Sequence, residues 1–195
     1  MGKQRQGASV RGVLTWLLVL TNPAGLVWGD SFIQKNFHQL VVEAEQIFVG
    51  TVTASQSRKL PTGAIVTDVT FSSLRVLKGS VAPGDLVLIV LGGSVDGETL
   101  KLGGFPEFRL GVTYLIFSKD NGTVIFPVVG GTQGLFQIKR DPTTAEELVF
   151  NAHGMPITSP TVTDAISAST PGPLHPPSPL TLDAFVQAIK NRLSP

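Results

Sequence analysis

The chain contains no cysteine. That absence excludes disulfide bonds, thiolate zinc sites, a cysteine nucleophile and an acylated lipoprotein cysteine. Small extracellular animal domains usually carry disulfides, so a cysteine-free exported domain favours a bacterial envelope or secreted protein. Charge is also sparse, since Lys, Arg, Asp and Glu make up 15% of the 195 residues. The three histidines lack the close pairing of a zinc site, and we predict no metal.

No apolar run reaches the roughly 20 residues that span a bilayer. The N-terminal segment has instead the order of a secretory signal peptide: Lys3, Arg5 and Arg11 precede an apolar run over 13–20, and helix breakers follow. We predict a signal peptide at 1–29 and a secreted or periplasmic protein with no membrane span after cleavage. An uncleaved N-terminal anchor is the alternative.

Removal of the signal changes the charge balance. The 15 basic residues fall to 12 without Lys3, Arg5 and Arg11, while the 14 acidic residues stay, so the net charge changes from +1 to −2. No basic stripe with interleaved aromatic residues remains. We therefore predict no nucleic-acid partner.

The chain after the signal has a helical pattern followed by β-type segments with many turns. Apolar spacing predicts a helix over 31–46, capped by Ser31. A continuous apolar run over 86–91 predicts a central strand covered on both faces. The full set of predicted strands is 47–53, 65–77, 86–91, 99–102, 112–118, 123–129, 135–139 and 148–150.

The strand over 65–77 changes its apolar phase from odd positions, ending at Phe71, to even positions, beginning at Leu74. Because side chains alternate with a period of two, the change predicts a β-bulge at Ser72–Ser73. A long bent strand is what a small closed or half-closed barrel requires. The predicted fold is mainly β and barrel-like, with flanking helices.

The last part of the chain changes in character. Proline, serine and threonine dominate 152–180, which predicts an extended linker. A C-terminal amphipathic helix is predicted within 181–195, over 182–193, with Thr181 as its cap. Its apolar face must dock either on this domain or on a partner.

Three segments together resemble the netrin-like module, which netrins, complement components and tissue inhibitors of metalloproteases share. They are Val66–Phe71, Arg75–Gly79 and Gly111–Phe117. The resemblance implies an OB-fold β-barrel packed with helices, here an OB-like domain with a leading helix over 30–151. Exported bacterial proteins are also similar, with a Gly-x-Pro-x-Phe loop that here is Gly104–Phe108.

The chain departs from this family at the residue that carries its inhibitory activity. Metalloprotease inhibitors of the family reach the catalytic zinc through a mature N-terminal cysteine. This chain has no cysteine, so neither that mechanism nor the family's disulfides carries over.

Two loops are candidate binding sites. OB-type barrels bind ligands through their loops, and in the loop over 103–109 two phenylalanines are placed to stack on a ligand while a glutamate and an arginine orient it. The alternative is that both rings plug the barrel end. The glycine-rich turn over 130–134 is the second candidate, with a tight turn as its alternative. The candidate ligand-binding residues are Phe105, Glu107, Phe108, Arg109 and Gln133.

The sequence contains no spacing typical of a catalytic site. There is no Gly-x-Ser-x-Gly and no calcium loop, and Asn121-Gly122-Thr123 is interpreted as a hairpin turn rather than a used glycosylation site. We expect a non-catalytic exported module that binds a protein or glycan partner in the envelope, without a cofactor. The alternatives are an inhibitor or regulator of a secreted protease and a hydrolase whose residues meet only in space.

Overall fold

The computed structural model describes residues 33–102, 107–160 and 178–194. The predicted signal peptide lies outside the described residues. Among those described, no helix is both long and apolar enough to cross a membrane. The elements in chain order are α1 (Phe37–Glu43), β1 (Gln46–Lys59), β2 (Ile65–Lys78), β3 (Leu86–Leu91), β4 (Gly93–Val95), β5 (Glu98–Leu100), β6 (Thr113–Ser118), a 3₁₀ turn (Gly131–Gly134), β7 (Leu135–Arg140), β8 (Glu147–Asn151) and α2 (Leu182–Leu193).

The fold is mainly β with two helices, as predicted. Six strands form one antiparallel sheet in the order β3-β2-β1-β6-β7-β8, and β4 pairs with β5 in a separate hairpin. The sheet is not closed into a barrel, because β3 and β8 lie at its two edges and do not pair with each other.

The strand predicted over 123–129 is wrong, and this explains why the sheet stays open. Asp120 and Gly122 have positive φ values of 55° and 83°, and Pro127 has no N–H to give to a ladder. The segment makes a single bridge to β6, between Ser118 and Val128. It therefore crosses the gap between β6 and β3 without forming a strand.

The predicted β-bulge in β2 is confirmed, but it lies at Ser73–Leu74, one residue beyond the predicted Ser72–Ser73. Val49 pairs with Arg75 and Thr51 with Ser72, so two residues of β2 face Gly50 alone, and Ser73 has a φ of 55°. A Cβ on Gly50 would lie 2.8 Å from Leu74 Cδ2, so a larger residue there would require the Leu74 side chain to move. The bulge bends the paired strands, which curls the sheet around its inner face.

The sheet has an apolar core on each face. The first core lies between the two helices and one face of β1, β6, β7 and β8. The second core lies on the inner face of the curl, where β1, β2, β3 and β6 contribute fully buried residues such as Phe48, Phe71, Leu88 and Ile116.

Helix α1 is shorter than the predicted helix over 31–46. Asn36 caps it, in a capping box with Gln39, and the predicted cap at Ser31 lies outside the described residues. Ile33, near the start of the predicted helix, is 82% exposed, and the residues from Gln46 onward belong to β1. The predicted helix was too long at both ends. The apolar residues of the short helix and of the strand that follows it happen to recur together at helical intervals.

Helix α2 is confirmed at its predicted bounds, with Thr181 as its cap. It docks on its own domain, since Phe185 is fully buried and its ring lies 5.4 Å from Phe37 and 5.0 Å from Phe136. These contacts join α2 to α1 and to β7 across the first core.

The described ends of the predicted linker run along the outer edge of β8. Ile157 is 2% exposed, and its N–H donates to Val149 O at 3.0 Å. Leu180 N–H donates to Ile157 O at 2.7 Å, and Val149 N–H donates to Leu180 O at 2.9 Å. Residues 161–177 lie outside the described residues. This edge of the sheet is thereby covered by the chain itself.

Strand β3 is an edge strand, and the prediction of a central strand was wrong. Leu88 is buried, but Val87 is 39% exposed. The outer edge of β3 is closed by the amide of Asn121, whose Oδ1 accepts from Ile89 N–H at 2.9 Å and whose Nδ2 donates to Val87 O at 2.8 Å. We call this pair of hydrogen bonds the Asn121 clamp. The residues of β3 are continuously apolar because β2 pairs with one edge and the 120–128 segment covers the other edge. A second neighbouring strand is not needed to explain the pattern.

Candidate binding cleft

An open cavity lies where the second core ends. It has a volume of about 520 Å³ and lies between the inner face of β1 and β2, the β4–β5 hairpin and the chain at 107–108. We call it the hydroxyl cleft. Its lining combines hydroxyl groups (Ser55, Ser57, Thr67, Ser94, Thr99), apolar side chains (Val69, Val90, Leu91, Leu100, Leu102, Phe108, Phe126), two glycines (Gly92, Gly93) and two charged residues (Lys101, Glu107).

A register shift decides which side chains of β1 face this cleft. Val52 pairs with Phe71 and Ala54 with Thr70, so Thr53 is an extra residue in β1. The shift moves the inward positions from even to odd numbers. Ser55 and Ser57 therefore lie on the cleft face, while the side chains of Ala54 and Gln56 take the opposite face.

The hydroxyl groups of Ser57 and Thr67 at the floor of the cleft form a chain of hydrogen bonds in which each donor is determined. Thr67 Oγ1 donates to Gly92 O at 2.6 Å, so its only hydrogen is used. Ser57 Oγ, 3.0 Å from Thr67 Oγ1, must then donate to it, and Ser57 Oγ accepts from Ser94 N–H at 3.3 Å. The Ser57 hydroxyl is thus fixed as a donor to Thr67 and as an acceptor of a backbone N–H.

Two glycines bring the hairpin against the sheet at this floor. Gly92 and Gly93 have φ values of 103° and 131°, which only glycine adopts readily. A Cβ on Gly93 would overlap the hydroxyl oxygens of Ser57 and Thr67. The close approach of the hairpin backbone to the hydroxyl pair therefore depends on glycine at position 93.

Phe108 closes the inner end of the cleft. Its ring lies edge-on to Phe71 at 5.5 Å and to Tyr114 at 5.3 Å, and it stacks on Phe126 at 6.0 Å. Burial raises the pKa of the Tyr114 phenol, while the Arg109 N–H donated to its oxygen at 3.2 Å acts in the opposite direction. Phe108 is anchored in the second core and presents its remaining exposed part to the cleft.

The predicted loop site is divided by the structure. Glu107 and Phe108 line the cleft, and Glu107 lies 3.6 Å from Lys101 in an exposed ion pair at the rim. Arg109 is exposed and does not line the cleft, although its backbone holds Tyr114. Phe105 lies outside the described residues.

Gln133 is placed elsewhere and is already bonded within the chain. It is 5% exposed, its Oε1 accepts from Lys35 N–H at 2.7 Å, and its Nε2 donates to Ile33 O at 3.2 Å. Both ends of its amide thus fasten the segment before α1. Gln133 is not among the residues that line the cleft.

Ionisable groups are few at this site. Lys101 and Glu107 are the charged residues that line the cleft, and they pair with each other. Among the described residues, no group of three or more His, Asp or Glu side chains is placed to hold a metal ion. His38 and His153 are exposed, and His175 lies outside the described residues.

Comparisons with known proteins give no family assignment. No family model matches the chain, and no curated protein or solved structure shows significant similarity to it. The netrin-like resemblance therefore remains a prediction.

Proposed function

We propose that this protein is a non-catalytic binding module and that its ligand occupies the hydroxyl cleft. The observation that carries the proposal is the lining, which combines apolar side chains with hydroxyl groups in a cleft of about 520 Å³. Concave, mostly apolar sites with a few oriented polar groups are the usual form of ligand sites. The size suits a short segment of a partner protein.

The bonding of the hydroxyl groups supports binding rather than catalysis. A serine nucleophile needs a base that removes its proton. Ser57 gives its hydrogen to Thr67, and Thr67 gives its own to Gly92 O. The charged pair at the rim, Lys101 and Glu107, is well exposed to solvent and neutralises itself.

We also propose that the protein is exported to the periplasm or the extracellular space. The basic, apolar and helix-breaking order over 1–29 supports this proposal, as does the lack of cysteine. Mass spectrometry of the protein recovered from its native host tests it. Export predicts a mature N-terminus near Asp30, and a cytoplasmic chain that keeps Met1 contradicts it.

We propose that the fold is an opened variant of an OB-like barrel. Strands β3, β2, β1 and β6 are consecutive neighbours, and the 120–128 segment reaches both ends of that set. It bridges β6 at Ser118 and Val128, and its Ile125 O accepts from Leu91 N–H of β3 at 2.8 Å. A full strand in this position would close the four strands into a barrel.

Site-specific photo-crosslinking tests the binding proposal. A photoreactive side chain at Glu107, on the cleft rim, is expected to crosslink a partner in cell-envelope extract, whereas the same group at the exposed Glu146 is not. Ser55→Trp, which fills the cleft, is expected to abolish the crosslink. Gln56→Trp is the matched control, since it lies next in β1 on the opposite face.

Two outcomes would overturn the proposal. Equal crosslinking from positions 107 and 146 would show that the cleft is not the contact site. Hydrolysis of ester or peptide substrates that is lost in Ser57→Ala would show that the hydroxyl cleft is catalytic.

A further inference from the structure

The β4–β5 hairpin carries a strand edge with outward backbone groups. Its two turn residues, Asp96 and Gly97, both have positive φ values, 50° and 80°, which is the type I′ geometry. Val95 and Glu98 are then the hydrogen-bonded pair that closes the turn. The next pair, Ser94 and Thr99, is non-hydrogen-bonded, so its N–H and C=O groups point away from the hairpin.

The two outward edges of the hairpin differ in their partners. On β4, Ser94 N–H donates to Ser57 Oγ at 3.3 Å and fastens the hairpin to β1. On β5, no described residue forms a hydrogen bond with the outward backbone groups of Thr99, although the Thr99 hydroxyl bonds Ser94 Oγ at 2.8 Å. Thr99 is exposed and lies on the rim of the hydroxyl cleft.

The outer edges of the six-stranded sheet, unlike the edge of β5, have hydrogen-bond partners in the part of the chain that the structure describes. The edge of β3 is closed by the Asn121 clamp, and that of β8 by hydrogen bonds to Ile157 and Leu180. Covered edges prevent pairing with a second chain. Among the described residues, the edge of β5 beside the cleft therefore has no backbone partner, whereas both outer edges of the six-stranded sheet are bonded.

We propose that β5 accepts an extended, uncharged peptide segment of a partner protein as an added strand beside the hydroxyl cleft. This inference rests on the proposed function, because it names the class of partner that the cleft binds. Strand addition derives affinity from main-chain hydrogen bonds and specificity from pockets for alternate side chains. Thr99 offers the main-chain donor and acceptor, and the adjacent cleft offers apolar walls.

The charges around β5 determine the character of that segment. Glu98 pairs with Lys59 at 2.8 Å, and Lys101 pairs with Glu107 at 3.6 Å. Both pairs are already neutralised, so a charged peptide side chain gains little and would lose hydration in the cleft. Apolar residues at alternate positions of the peptide fit the apolar part of the lining.

A phage-displayed library of linear peptides, selected against the folded protein, provides the probe. The library is expected to yield peptides with alternating apolar residues. Thr99→Pro removes the outward N–H but keeps the hydrogen bonds between β5 and β4. We expect it to weaken peptide binding about tenfold, because one main-chain hydrogen bond is lost and the proline ring lies against the peptide. Thr99→Val also removes the hydroxyl but keeps the N–H, so it should bind more tightly than Thr99→Pro, and the difference between the two variants measures the main-chain hydrogen bond.

A second measurement does not depend on the variant folding. Selected peptides are resynthesised with N-methyl groups at alternate residues, which removes the donors of one edge while keeping every side chain. One of the two N-methyl patterns is expected to lose binding to the wild-type protein at least about tenfold, and the other is not. Equal binding of both patterns, or unchanged binding to Thr99→Pro, overturns strand addition.

The outcomes separate this inference from the proposed function. A failure to enrich peptides, with a crosslink at Glu107 that Ser55→Trp still abolishes, overturns the peptide inference alone. Binding of neutral oligosaccharides in place of peptides has the same meaning. A failure of the crosslink as well overturns both.

Discussion

The Asn121 clamp gives the sharpest prediction for stability. Asn121→Ala removes two hydrogen bonds from the edge of β3, at 2.9 Å to Ile89 N–H and 2.8 Å to Val87 O. Each is worth about 0.5–1.5 kcal/mol, and water can reach the freed groups, so we expect a loss of about 1–2 kcal/mol in the free energy of unfolding. Urea unfolding measures that loss as a shift of the midpoint with an unchanged slope.

The same substitution is expected to change association. Val87 on this edge is 39% exposed, and an uncovered apolar edge pairs readily with a second copy. Sedimentation velocity over a range of concentrations should show self-association for Asn121→Ala and not for the wild-type protein.

Two variants test the reasoning. Thr123→Ala, in the same turn, leaves the clamp intact, whereas Asn121→Asp keeps the acceptor for Ile89 N–H but sets a carboxylate oxygen against Val87 O. Asn121→Asp should therefore be at least as unstable as Asn121→Ala. The clamp has no role in stability if Asn121→Ala unfolds at the same urea concentration as the wild-type protein.

Three other predictions address the floor of the cleft, α2 and pH. Gly93→Ala should destabilise the fold by about 1–3 kcal/mol, because the new Cβ overlaps two hydroxyl groups at a positive φ; an unchanged melting temperature would contradict this. Phe185→Ala should cost about 3–5 kcal/mol in urea unfolding, as for other fully buried phenylalanines, whereas Gln187→Ala on the exposed face of α2 should change little. Two backbone N–H groups lower the pKa of Asp141, so its stabilisation is present above pH of roughly 4 and is lost as pH falls through the lowered pKa. Asp141→Ala should accordingly flatten the decline in stability of the wild-type protein over that acid range, and an equal decline in both proteins would refute it.

The sequence predicted correctly the elements whose structure depends on nearby residues, namely the bulge in β2 and helix α2. The bulge in β2 was predictable because the apolar phase changes between Phe71 and Leu74, and a strand cannot change phase without an extra residue. Helix α2 was predictable because its apolar spacing runs over three turns with a cap before it.

Tertiary context decided the elements that were wrong. The apolar run over 86–91 could not indicate that β3 is an edge strand, because the cover comes from a segment more than thirty residues away. Helix α1 was predicted too long because its pattern merges with that of β1. The capping box of Asn36 and Gln39 was the local signal that would have placed its start.

The binding cleft was found only in part. The aromatic loop indicated Glu107 and Phe108, which do line it, but the hydroxyl face was missed. Ser55 and Ser57 face the cleft because of the extra residue at Thr53, and that shift appears only when β1 is paired with β2. Two adjacent glycines after a strand, Gly92 and Gly93, are the local signal that could have indicated the close approach of the hairpin to the sheet.

The contacts of α2 also determine when the first core can be completed during synthesis of the chain. Phe37 and Phe185 meet in the first core although most of the domain lies between them in sequence. Until α2 has emerged from the ribosome, Phe37 and Phe136 lack their contacts with Phe185. The nascent chain therefore keeps part of this apolar surface exposed until Phe185 has been synthesised, and during that interval a holding chaperone has a surface to bind.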